Sequence, residues 1–168
     1  MEISLAEVFA NEGVKKFFEF DEFPKEDRFE FNGEELRILK PLQVSGYIIR
    51  YEEKISLQMG IKTSIQRICS RCLTAFEESI DIMANFTFGK DNKDADNDSI
   101  PIYGDSIVID EIVIDEVLSQ ISMKPLCNTD CNGLCPICGT NKNLGQCDCV
   151  IDEVDPRLEI LKSLLEKE

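Results

Sequence analysis

Between Cys127 and Cys149 the chain reads CNTDCNGLCPICGTNKNLGQCDC, which puts six of its eight cysteines into 23 residues. Residue types and spacings of this kind are hard to reconcile with anything but a bound metal. Two thiolates separated by two residues, as in Cys135-Pro-Ile-Cys138, converge on one ion while the backbone turns tightly, and the following Gly139 permits the positive φ that such a turn requires. Cys147 and Cys149 follow across an Asn- and Gly-rich turn, so four thiolates can close a tetrahedral site locally. Cys127 and Cys131 remain, together with Cys69-Ser-Arg-Cys72 at a bend between two predicted strands. Joined, those four complete a second site that ties a sheet to the C-terminal segment; otherwise Cys69 and Cys72 are free buried thiols. The reading is therefore one zinc or two, and the absence of histidine from the whole chain rules out mixed Cys/His ligation.

Other uses of these cysteines fit less well. Disulfides belong to oxidising compartments, and the N-terminus MEISLAEVF has neither a basic segment nor an apolar signal core. No run approaches the roughly 20 apolar residues of a membrane helix, so a soluble, cytoplasmic protein without membrane association is expected. Cys131-x3-Cys135-x2-Cys138 matches an iron–sulfur spacing of radical enzymes, but a chain of 168 residues has no room for the barrel those enzymes use. Thiol redox work at Cys69 and Cys72 would call for a strand-to-helix junction that lowers a thiol pKa, and the pattern is strand on both sides. Nucleophilic catalysis lacks a histidine base, and no phosphate loop or GxSxG elbow is present, so no enzyme activity and no small-molecule substrate are expected.

The rest of the chain predicts an α+β fold: an antiparallel β-meander or small partly open barrel, with a C-terminal helical, zinc-knuckle module. Ile55, Leu57, Met59, Ile61, Thr63 and Ile65 alternate with polar or small residues, a period of two that buries one face and wets the other. Tyr47, Ile49 and Tyr51 precede this run, and Ile80, Ile82, Ala84, Phe86 and Phe88 continue it. The turn at Tyr51–Lys54 is short enough for antiparallel neighbours, and no parallel crossover is expected. Lys15–Asp21 and Arg28–Phe31 read as strands, and Ser4-Leu-Ala-Glu7 as a capping box opening a helix over Leu5–Asn11. Residues 107–109 can form a strand, followed by a helix over Asp110–Met123 with Ile112, Asp115/Glu116, Val117, Leu118 and Ile121 as its stripe. Asp155-Pro156 opens a terminal helix whose Leu158, Ile160, Leu161, Leu164 and Leu165 face the sheet. This organisation divides the chain into a β domain with a short N-terminal helix (1–90), an acidic linker (91–104) and a module of helix, cysteines and terminal helix (105–168). The DNKDADND stretch in the linker cannot bury a core, and it lacks the glycine and distal glutamate of a calcium loop.

A net charge of −15 argues against nonspecific attraction to nucleic acid. Residues 36–76 run the other way, with Arg37, Lys40, Arg50, Lys54, Lys62, Arg67 and Arg71 against Glu52 and Glu53. If the protein touches RNA, that island is the surface expected to do so, with Arg50, Lys54, Lys62, Arg67 and Arg71 as candidates; ordinary wet-face charges are the alternative.

Several motifs in order along the chain resemble the YceD family, the large ribosomal RNA subunit accumulation proteins, in its cysteine-rich bacterial branch. They are Cys69-Ser-Arg-Cys72 followed by Phe76-Glu77, Met123-Lys-Pro-Leu-Cys127, Gly133-Leu-Cys135-Pro-Ile-Cys138-Gly139, Asn143-Leu-Gly with Cys147-Asp-Cys149, and Asp155-Pro-Arg-Leu158. Lys142 departs from the apolar residue expected in that turn. The resemblance implies a non-catalytic part in accumulation or processing of large-subunit ribosomal RNA and in ribosome assembly, with the rRNA or its precursor, or ribosomal and assembly proteins, as partners. An acidic adaptor that binds a basic ribosomal protein or RNA-modifying enzyme without touching RNA is the competing reading.

Overall fold

The computed structural model describes residues 1–89 and 99–150. The expected terminal helix and the acidic stretch 91–98 lie outside them. The described chain is mostly β-sheet. Its frame is a hairpin of two 15-residue strands, β6 (Lys54–Ile68) and β7 (Ala75–Gly89), paired antiparallel along their whole length. Since β7 occupies one edge of β6 throughout, β5 (Leu42–Tyr51) and β4 (Glu34–Ile38) share the other, β5 along residues 54–62 and β4 at Ile65 and Gln66. Strand β2 (Lys16–Glu22) extends the sheet beyond β5, and β3 (Arg28–Phe31) pairs with β4. The order is open, and no barrel closes among the described strands.

Three details differ from the sequence reading. Strand β8 (Ile100–Pro101) pairs with the end of β7 in parallel, the direction that the short connections had argued against. Ser4 does not cap a helix: it lies in β1 (Glu2–Ser4), paired with β9 (Ser106–Val108), and α1 (Ala6–Ala10) starts behind Leu5 with no side-chain cap. The ladder pairing spends Ser4 on the sheet. Helix α2 (Asp110–Gln120) ends before Pro125 because Ile121 is already extended; of the expected stripe Val117 and Ile121 are buried and Ile112 and Leu118 pack half-buried on the core, but Asp115 is exposed and Val113 joins the buried face instead.

The alternation in β6 has the expected consequence. Ile55, Leu57, Met59, Ile61 and Ile65 are all buried, and with Val44, Ile48, Phe88, Val8, Val113 and Val117 they form one core. The β5–β6 hairpin turns through Glu52, whose φ of 55° is left-handed. Near the middle of β5, Gly46 sits so close to the Gln58 carbonyl that no Cβ could be accommodated. A second, small cluster of Cys69, Cys72 and Cys131 with Phe76, Leu126 and Leu134 lies at the far end of the hairpin.

Candidate metal centre

The β6–β7 turn is a knuckle. In Cys69-Ser-Arg-Cys72-Leu73-Thr74 the Cys69 N–H donates to the Thr74 carbonyl at 3.0 Å and the Leu73 N–H to the Cys69 carbonyl at 2.9 Å. In Cys135-Pro-Ile-Cys138-Gly139-Thr140 the same two bonds run from Cys135 to Thr140 at 2.8 Å and from Gly139 to Cys135 at 2.9 Å. The fifth residue is left-handed in both, at φ 57° for Leu73 and 74° for Gly139. One backbone fold is thus used twice, once with the glycine the conformation favours and once with a leucine.

Each knuckle aims donors at its sulfurs. Burial alone would raise the Cys69 thiol, but the N–H groups of Cys127, Cys72 and Arg71 outweigh it and hold the thiol at about 6. Cys72 is lowered by the hydroxyl and N–H of Thr74. In the second knuckle the N–H groups of Cys138 and Ile137 lower Cys135, and the hydroxyl and N–H of Thr140 bring Cys138 to about 6. N–H donors that favour the thiolate are what a metal-ligating sulfur needs.

The remaining four cysteines complete the sets. Cys69, Cys72, Cys127 and Cys131 form one group and Cys135, Cys138, Cys147 and Cys149 the other, the sulfurs of each lying within 4.8 Å of one another. Cys69 and Cys131 are separated by 3.8 Å between sulfurs and Cys72 and Cys127 by 3.6 Å, well beyond a disulfide bond. A tetrahedron of thiolates about 2.3 Å from zinc has edges of about 3.8 Å, so the donor set and its spacing fit such an ion. Contact with the Cys72 sulfur, then burial, pushes Cys127 up to about 12. Contact with Cys138 does the same to Cys149, also to about 12. Cys147 is raised as well: the Cys149 N–H favours its thiolate, but contact with Cys135 and burial prevail. Two thiolates therefore form readily in each group while Cys127 in the first and Cys147 and Cys149 in the second resist, which is the electrostatics a cation in the middle would resolve.

The two groups brace each other. Asn143, in the loop that leads to Cys147, accepts the Asn132 N–H at 2.8 Å and donates to the Cys131 sulfur at 3.3 Å. Asn141 donates to the Thr74 hydroxyl at 3.1 Å, and the Leu134 N–H reaches the Arg71 carbonyl at 3.2 Å. Gly133 is left-handed at φ 69°, and a Cβ there would lie 3.2 Å from that same carbonyl. On the sheet side, the N–H and hydroxyl of Ser70 both donate to the Pro125 carbonyl at 2.9 Å. The departure at Lys142 has little consequence for this bracing, because its contribution is a backbone N–H to Gly133 at 2.9 Å.

Five of the seven basic side chains of the island meet carboxylates in the fold. Arg37 pairs with Asp27 at 3.1 Å, Lys40 with Glu77 at 2.6 Å, Arg50 with Glu12 at 3.8 Å and Lys62 with Asp81 at 3.0 Å. Arg67 is buried, with its side chain 1% exposed between Glu34 at 2.9 Å and Glu78 at 3.1 Å, and it also donates to the Ser122 carbonyl. Arg71 donates to the Cys131 carbonyl at 3.0 Å. Lys54 lies exposed at the β5–β6 turn. Every partnering carboxylate comes from outside residues 36–76, which is why a window of sequence showed an excess. Arg67 was readable from the pattern, since it continues the inward parity of Ile61, Thr63 and Ile65.

The fold and site define a β-sheet protein that carries two four-cysteine centres able to hold metal ions, one of them clasping the sheet to the C-terminal segment. The chain belongs to the YceD family: the family model described as "Large ribosomal RNA subunit accumulation protein YceD" matches residues 57–165, from near the start of β6 through both knuckles. It is 30% identical over 158 residues to "Large ribosomal RNA subunit accumulation protein YCED homolog 1, chloroplastic" of Arabidopsis thaliana, covering 76% of this chain and 49% of that one. The chain thus spans about half the length of that relative. It is 27% identical over 157 residues to "Uncharacterized protein YlbN" of Bacillus subtilis (strain 168), covering 92% of this chain and 91% of that protein. No solved structure matches. No helix among the described residues is long and apolar enough to cross a membrane.

Proposed function

We propose that the chain is a non-catalytic cytoplasmic factor that supports accumulation of the large-subunit ribosomal RNA, with zinc in both four-cysteine centres. The observation that carries the reading is the extent of the family match, which takes in the β6–β7 hairpin and every cysteine. Zinc supplies the positive charge and cross-links that let four thiolates share one site, and its binding free energy becomes folding free energy. The first centre would then hold the hairpin turn against Cys127 and Cys131, and the second would hold the loop that carries Asn143.

Depleting the protein from its cell should lower the ratio of large- to small-subunit rRNA, and wild type should restore it where Cys69→Ser does not. An unchanged ratio on depletion would sink the reading. For the metal, freshly reduced protein should carry two zinc ions per chain, one for each group of four cysteines. Cys135→Ser should lose one, and Cys69→Ser should keep the ion of the second centre, whose ligands all lie within residues 135–149. Metal-free, folded wild type would remove the zinc.

A second reading is favoured by the ion pairs of the basic island. With Arg37, Lys40, Arg50, Lys62 and Arg67 spent internally, an acidic adaptor that binds a basic protein accounts for the charge better than direct phosphate contact. Salt-dependent RNA binding by purified protein supports the first mode of action; co-purification of a basic protein without RNA binding supports the second.

A further inference from the structure

Where α2 meets the turn between β2 and β3, the surface opens into a groove of about 430 Å³. Its floor is apolar, made by Phe29, Leu42, Val108 and Ile114. Its rim is acidic: Glu26 stands on one side and Glu111 and Asp115 on the other, all exposed. Lys25 is the single basic side chain among the groove's lining residues. On β7, by contrast, Glu77 is matched to Lys40 and Asp81 to Lys62. Glu26, Glu111 and Asp115 have no ion pair among the described residues, and α2 places Glu111 and Asp115 one turn apart on the same side.

We propose that this groove docks a short basic peptide segment of a partner protein, with one apolar side chain on the Phe29/Leu42/Val108/Ile114 floor and Lys or Arg against Glu26, Glu111 and Asp115. The occupant follows from charge. Phosphate would be repelled by the rim, so the groove does not suit RNA. A second copy of a chain of net charge −15 brings the wrong sign. The chain's own residues 151–168 carry six acidic and three basic side chains, again the wrong balance. An apolar anchor in a concave floor with charges around it is a common way of holding a peptide: the anchor supplies affinity and the rim supplies selection and encounter rate.

The inference rests on the adaptor reading and narrows it to one surface. Its test is fluorescence anisotropy of a labelled peptide of arginines around one central leucine, titrated with full-length, zinc-loaded protein. Binding is expected to weaken about tenfold when Glu111→Lys and Asp115→Lys are combined, and again when Val108→Arg fills the floor. All three residues are exposed, so the variants should keep wild-type circular dichroism. Replacing the central leucine by serine should weaken binding to a similar extent. Equal binding of the leucine and serine peptides, or no change in the variants, would show attraction to net charge alone and overturn the proposal. So would a chain ending at residue 150 binding the peptide when the full chain does not, which would assign the groove to residues 151–168, or a labelled single-stranded RNA, without the peptide, binding wild type but not the Val108→Arg variant. Should a basic protein co-purify equally well with the Val108→Arg variant, the groove would fall while the adaptor reading stood.

Discussion

Leu73 and Gly139 occupy the same place in two copies of one knuckle, and exchanging them measures what that place requires. A left-handed backbone costs a side-chain-bearing residue about 1–2 kcal/mol. Leu73→Gly should recover that, less about 0.4–1 kcal/mol for the extra freedom glycine gives the unfolded chain. The leucine side chain is 66% exposed, so its removal forfeits little burial. The net expectation is a gain of about 0.5–1 kcal/mol. At Gly139 a Cβ would meet nothing within 4 Å, so Gly139→Leu should lose a similar amount through the backbone alone. With a urea m-value of about 2 kcal/mol/M, the midpoint of zinc-saturated protein should rise by about 0.3–0.5 M in the first variant and fall by about as much in the second. The double exchange should return it close to wild type, because the two positions belong to different centres. A lower midpoint for Leu73→Gly, or an unmoved one for Gly139→Leu, would refute the equivalence of the knuckles.

Arg67→Met should destabilise by about 3 kcal/mol, since it strands the carboxylates of Glu34 and Glu78. Burial raises Glu34, but hydrogen bonds from Arg67 and the Ile68 N–H prevail and hold it below the ordinary 4.5, so its pairing stabilises above that pH and is lost as pH falls through its lower folded value. The gap between wild type and variant in urea unfolding should therefore be full at neutral pH and narrow in acid; a constant gap would reject the pairing. Asn143→Ala should weaken metal retention at the first centre about 10–100-fold in chelator competition while sparing the second, because Cys131 is the cysteine to which Asn143 donates; unchanged retention would remove Asn143 as a brace. Gly46→Ala should cost about 1–3 kcal/mol or prevent folding, because its Cβ would enter the Gln58 carbonyl; wild-type stability would show that the sheet yields there.

Much of this protein was legible in its residues. The alternation from Ile55 to Ile65 specifies strands whatever they pair with, because side chains of period two must divide between two faces. Cys-x-x-Cys followed by Gly139 specifies a knuckle because the geometry is local. Both properties belong to a few neighbouring residues, so a short window holds them. Leu73 gives no such local signal, because its residue type argues against the left-handed conformation that the surrounding turn imposes.

Tertiary structure decided what depends on residues distant in the chain. Cys69 reaches Cys131 across 62 positions, and only the long β6–β7 hairpin sets its turn against the C-terminal loop. The basic island dissolved for the same reason: charge counted along a window ignores the carboxylates that folding brings from Glu12, Asp27, Glu34, Glu77, Glu78 and Asp81. Ser4 became a strand residue because β9 lay beside it, and a backbone paired in a ladder cannot also begin a helix there. Sequence by itself fixed which segments alternate and where thiolates could turn around an ion. Packing determined which thiolates share a centre and which charges still face the solvent, because both depend on through-space distances that chain order leaves open.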